Sequence, residues 1–155
     1  MFKINGKIIF DPIKITKKHH KQDWKVNAIC LINDDICNYY NWFINKRFNL
    51  LLNKPLRGSH ITIISDRIIN ELYYNQAKEL FNNKELTFEY DPTQIRTNGE
   101  HWWFNVICKD VEYIRQIAGL TPMPYFKLHL TIGHANDKNI NHSKYIHRQI
   151  LKFNI

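Results

Sequence analysis

Two histidines and two threonines are the residues of this chain best suited to do chemistry. Ser59-His60-Ile61-Thr62-Ile63 and Leu128-His129-Leu130-Thr131-Ile132 each set a His two residues before a Thr inside a short apolar run. In a strand, residues two apart share a face, so His60 and Thr62 point one way and Ile61 and Ile63 the other. His129 and Thr131 separate from Leu130 and Ile132 in the same manner. A polar pair backed by apolar neighbours is the pattern of a strand that lines a cleft. Two imidazoles with ordinary pKa values of about 6.5 form a complementary pair near neutral pH: the neutral ring takes a proton and the protonated ring supplies one. Threonine hydroxyls beside them can hydrogen-bond phosphate oxygens as charge builds in a transition state. Such a scheme needs no metal and no cofactor. At ordinary composition a His is followed by apolar–Thr/Ser–apolar roughly once in a hundred times. Among eight histidines one match means little, whereas two in matching surroundings mean much.

The elements around these residues repeat. Asn27-Ala28-Ile29-Cys30 reads as a strand, followed by an amphipathic helix from the Asp34-Asp35 cap to about Leu52, then the strand Ser59–Ser65. Asn105-Val106-Ile107-Cys108 ends a strand from His101. A short helix capped by Asp110 and ending near Gly119 follows, then the strand Phe126–Gly133. Asn-x-Ile-Cys therefore recurs at the same point of two strand–helix–strand units, about residues 24–66 and 101–135. Two similar lobes, each offering one His-x-Thr, are expected within a single domain spanning 1–155. Further elements are a strand at Lys7–Phe10, a helix from Asp66 to Phe81, a strand at Glu85–Tyr90 and a helical tail at Ser143–Phe153. The expected class is α+β.

Composition bounds the rest. The chain has 155 residues, 44% hydrophobic and 14% aromatic, enough for one packed domain and against general disorder. No apolar run approaches the ~18–20 residues of a membrane span. The start lacks the apolar core of a secretory signal, so a cytoplasmic location is expected. Three cysteines, Cys30, Cys37 and Cys108, cannot pair off completely and read as buried reduced thiols. The net charge of +8 fits an anionic partner. Sixteen Lys against six Arg, with abundant Ile and Asn, is also what AT-rich codons produce. The densest cluster, Lys17-Lys18-His19-His20-Lys21, fits an exposed loop or a binding arm, and the basic segment Ile13–Lys25 around it either closes over a ligand as a lid or frays.

The paired segments resemble the signature of the two-histidine phosphoesterase superfamily, the likeness covering roughly Trp24 to Gly133. Within it, Pro55-Leu56-Arg57-Gly58-Ser59-His60-Ile61-Thr62 and His129-Leu130-Thr131-Ile132-Gly133-His134-Ala135 most resemble the anti-CBASS phosphodiesterases of tailed bacteriophages. That resemblance implies a bilobal fold with antiparallel sheets around a central cleft and helices outside. It also implies a hydrolase that opens cyclic di- and trinucleotide signals such as 3′3′-cGAMP in the host cytoplasm, without a metal or a stable protein partner. Carried over residue by residue, His60, Thr62, His129 and Thr131 form the catalytic set. An RNA 2′,3′-cyclic phosphodiesterase or 2′-5′ RNA ligase-like enzyme would use the same mechanism, and a non-catalytic basic RNA-binding module is the alternative outside enzymes.

A nucleotide also needs flat surfaces and positive charge. Tyr90, Trp102, Tyr125 and Lys127 are the expected substrate-binding residues. Trp102 and Trp103 are adjacent, so a strand sends one to each face, and either could stack on a base. Arg57 reads as a turn residue facing solvent or a phosphate. His129/His134 and His142/His147 are both spaced i, i+5, which puts neither pair on one helical face, so metal ligation is not expected.

Overall fold

The computed structural model describes residues 1–13, 26–55 and 57–135. The elements are β1 (Phe2–Phe10), β2 (Ala28–Ile32), α1 (Asp34–Phe48), β3 (His60–Ile64), α2 (Glu71–Phe81), β4 (Glu85–Tyr90), β5 (Arg96–Thr97), β6 (His101–Ile107), α3 (Lys109–Ile117) and β7 (His129–His134). They form a mixed α+β structure. The strands make one antiparallel sheet in the order β4-β1-β2-β3-β7-β6-β5, and a further β4–β6 pairing closes six of them into a barrel. Where the family resemblance implies antiparallel sheets about a cleft, the two strand–helix–strand units share one sheet, because β3 pairs directly with β7. Among the described residues no helix is long and apolar enough to cross a membrane.

Alternation divides the sheet into two faces. Ile8, Cys30, Ile61, Ile63, Phe88, Trp102, Phe104, Leu130 and Ile132 form the buried face. The helices cover it: Tyr40 of α1 lies edge-on to Phe104, and Phe10 meets Tyr74 of α2. Gly6 is required where β1 crosses β2, since a Cβ there would run into the Cys30 sulfur and the Leu31 carbonyl. The opposite face keeps the polar residues, and both His-x-Thr pairs stand on it.

Some boundaries differ from the sequence expectation. β1 begins at Phe2 rather than Lys7, extended by its register with β4. α1 is capped by Asn33, whose Oδ1 accepts from Asp35 N–H, and ends at a left-handed Asn49. α2 begins at Glu71, its cap Asn70 accepting from Tyr73 N–H. Asp66, expected as that cap, instead grips the fully buried Arg115 of α3 with both carboxylate oxygens, at 2.9 and 3.1 Å. Arg115 also donates to the Ile63 and Thr121 carbonyls, so one side chain joins the end of β3, α3 and the loop behind it. At α3, Cys108 rather than Asp110 is the capping position and makes no side-chain cap. β7 starts at His129 instead of Phe126. The cluster at 17–21, all of the 13–25 lid segment except Ile13, and the helical tail at 143–153 lie outside the described residues.

Candidate active site

β3 and β7 meet antiparallel at Ile61↔Leu130, the residues between His and Thr in each motif. Carried one residue each way, that register sets His60 opposite Thr131 and Thr62 opposite His129. The local two-fold of an antiparallel pair exchanges the two motifs. The histidines are diagonal neighbours, about 7–8 Å apart at the backbone, which leaves space for a phosphate between the rings. All four residues are half-buried.

Both rings are held in the same way. His60 Nδ1 donates to the Gly58 carbonyl at 2.8 Å, and His129 Nδ1 donates to the Lys127 carbonyl at 2.8 Å. A carbonyl only accepts, so Nδ1 carries the proton in each, and Nε2 is the nitrogen left to work. Burial is the main cause holding the His60 pKa below its ordinary value. The Gly58 hydrogen bond opposes that, while the charges of Arg57 and His129 add to it. Among the described residues, neither the Thr62 nor the Thr131 hydroxyl has a hydrogen-bond partner in the protein.

The surroundings hold this geometry. α1 supplies hydrogen bonds to two carbonyls of β7: Cys37 Sγ donates to Thr131 O and Asn41 Nδ2 to Ile132 O. In front of His60, the Asp34 carboxylate accepts from Ser59 N–H at 2.9 Å and lies against Gly58, whose φ is +74°. That contact, and the Ser59 hydroxyl, keep the Asp34 carboxyl below the usual carboxylate range. Asp34 therefore fixes the turn whose carbonyl orients His60. The sequence pattern offered it only as a helix cap.

The aromatic expectations divide. Trp103 pairs across strands with Thr131 and Asn105 with His129, so both share the face of the catalytic set, and the Trp103 indole N–H donates to Asn105 Oδ1. Trp102 is the core partner, fully buried against Phe48. A register shift between the two tryptophans, an irregularity in the β6–β7 ladder, puts Gly133 opposite Trp102 and Thr131 opposite Trp103. Tyr90 is also buried, with its hydroxyl against that of Tyr40. Tyr90 and Trp102 thus lie on the side of the sheet away from the histidines, and neither touches a ligand bound there. Tyr125 is 95% exposed in the loop before β7, away from any strand face. Lys127 precedes the strand rather than standing on it; its carbonyl holds His129, and the residue lines a pocket beside β6. The Arg57 guanidinium donates to the Ile13 carbonyl and is close enough to His60 to repel its proton.

Asn105 escaped the sequence reading although it lies in the repeated Asn-x-Ile-Cys. Its counterpart Asn27 is buried and donates to the Asp66 carbonyl, so the repeat uses one residue type for two purposes. The three thiols are free and buried. Burial pushes Cys30 up to about 12 and raises Cys37 and Cys108, so none is a thiolate nucleophile near neutral pH. Among the described residues no group of three His, Cys, Asp or Glu is placed to hold a metal ion. No protein family, curated protein or solved structure matches the chain.

Proposed function

We propose that the protein is a two-histidine phosphodiesterase acting on cyclic oligonucleotides, in which two imidazoles cut a 3′-5′ linkage by general acid–base catalysis. The observation that carries this reading is the matched pair: two histidines on adjacent strands, each tied by Nδ1 to a carbonyl two residues back, each beside an unengaged threonine hydroxyl. A structural histidine has no need of a symmetry mate with its second nitrogen turned to the same face.

His60 is the base, because burial favours its neutral form. Its Nε2 takes the proton of the ribose 2′-OH, or of a water, as that oxygen bonds to phosphorus. His129, whose hydrogen bond lies in a more open setting, is the acid. Its Nε2 proton passes to the departing 5′-oxygen as the P–O5′ bond breaks. With the 2′-OH as nucleophile the product ends in a 2′,3′-cyclic phosphate and a free 5′-OH. With water it ends in a 3′-phosphate. Thr62 and Thr131 donate to the non-bridging oxygens in the transition state, and Trp103 offers a stacking surface for a base beside Thr131. The resemblance to the phage anti-CBASS enzymes supplies the setting: removal of an immune second messenger in the host cytoplasm.

Turnover of 3′3′-cGAMP by the purified protein in EDTA tests the reading, with His60→Ala, His129→Ala and the double variant alongside. Wild type yields linear product, and each single variant loses about 10²–10⁴ in rate. The double variant is little worse than either single one, because the pair acts as a unit. Activity that disappears on chelation, or survives loss of both rings, refutes the mechanism. Cleavage confined to an RNA 2′,3′-cyclic end keeps the mechanism and refutes the substrate.

A further inference from the structure

The cavity beside β6 adjoins the catalytic face. It has a volume of about 260 Å³ and lies between the end of β6, the first turn of α3 and the loop before β7. Ile107, Pro122, Met123 and Pro124 give it apolar walls, while Glu112 and Lys127 bring opposite charges to it. Asn105, the residue paired with His129, lines its inner end. The backbone of Lys127 holds His129 Nδ1. The cavity thus begins one strand away from the acid histidine, where a nucleoside attached to a phosphate held between the two rings would reach.

Size and lining narrow the occupant. Pockets for whole drug-sized ligands run to about 300–1,000 Å³, so this one holds one ring system rather than a dinucleotide. Prolines, Met123 and Ile107 make flat, apolar walls for a planar ring. Among the described residues neither Glu112 nor Lys127 has a polar side-chain partner, in each other or elsewhere, which leaves one acceptor pair and one donor set open. A carboxylate accepts two parallel N–H bonds, and an ammonium donates to carbonyl or ring-nitrogen acceptors. Guanine presents that combination, with N1–H and N2–H on one edge and O6 and N7 beside it. Adenine turns an unprotonated N1 towards the carboxylate and has no carbonyl for the lysine.

Building on the phosphodiesterase reading, we propose that this pocket is a base subsite selective for guanine, with Glu112 reading the N1–H/N2–H edge and Lys127 the O6 side. The chain contains two methionines, so the Met123 methyl signal in a ¹³C-methyl-labelled sample is the one that disappears on Met123→Leu. GMP titrated into the intact protein shifts the Met123 methyl and saturates, AMP shifts it at least about tenfold more weakly, and Glu112→Gln removes the preference. A tenfold factor is what one charge-assisted hydrogen bond contributes. Equal response to GMP and AMP, or a preference that survives Glu112→Gln, overturns the guanine subsite. This readout needs no turnover. Selective GMP binding in a protein that cuts no cyclic dinucleotide upholds the pocket and refutes the phosphodiesterase. Turnover without selective binding does the reverse.

Discussion

Replacing Arg115 by Met tests how the back of the site is held. The guanidinium is fully buried and makes four hydrogen bonds: two to the Asp66 carboxylate, one to Ile63 O and one to Thr121 O. Methionine keeps most of the volume and removes all four. Breaking a buried ion pair by deleting one partner costs about 3–5 kcal/mol, chiefly because the remaining charge and acceptors lose their partners without regaining water. The Asp66 side chain is 30% exposed, so water reaches part of it, and the lower end applies: about 3 kcal/mol. For a domain of this size that is a fall of about 6–12 °C in Tm. Arg115→Lys keeps the charge without the planar fork and costs about half as much. Asp66→Leu alone strands a buried cation and costs at least as much as Arg115→Met. The double variant Arg115→Met/Asp66→Leu recovers part of the loss, since no charge remains unpaired. Urea unfolding of the wild type and the four variants measures each value. An Arg115→Met protein within 1 kcal/mol of wild type, or a double variant costing the sum of the singles, refutes the claim that this pair staples α3 to β3.

Two further outcomes follow from the face assignments. Because His60 is depressed by burial and must be neutral to act as base, the acid limb of kcat/KM lies below pH 6.5. The same group makes the fold more stable above about pH 6.5, where both states hold it neutral. That contribution is lost as pH falls from 6.5 through the lower folded-state pKa, since the unfolded chain then binds the proton more readily. An acid limb at or above 6.5 removes His60 from the role of base. Trp103→Ala raises KM for a cyclic dinucleotide by roughly 5–150-fold, the worth of one stacked base, with Tm little changed. Trp102→Ala does the opposite, costing about 3–5 kcal/mol of stability by emptying the core, and the reverse pattern of KM and Tm would show the two faces exchanged.

These contrasts also show which parts of the molecule a sequence carries and which it does not. Strand alternation is enforced by the backbone within two residues, so the common face of His60 and Thr62, and of His129 and Thr131, is legible before any tertiary contact exists. The same rule says that Trp102 and Trp103 face opposite ways and is silent on which faces the site. The answer depends on how β6 registers against β7, and the irregularity between the tryptophans sets that register. Asp34 and Asp66 pose a related difficulty. Each stands where a helix cap is expected, and each is taken by a distant group: Ser59 N–H for Asp34, the Arg115 guanidinium for Asp66. The caps are then left to Asn33 and Asn70, whose amides compete for no charged partner.

Local and long-range control meet at the histidines. The Nδ1 bond spans two residues in both motifs, so the strand itself chooses the tautomer, and the two rings match although their settings do not. Gly58 is pinned by Asp34, whereas Lys127 comes out of a Pro-rich loop beside the α3 cavity. What differs between the halves is the second layer, which buries one imidazole more than the other. A proton on His129 lowers the affinity of His60 for its own, so the two rings take up protons in separate steps, and between those steps the pair holds one proton, the state in which one imidazole acts as base and the other as acid.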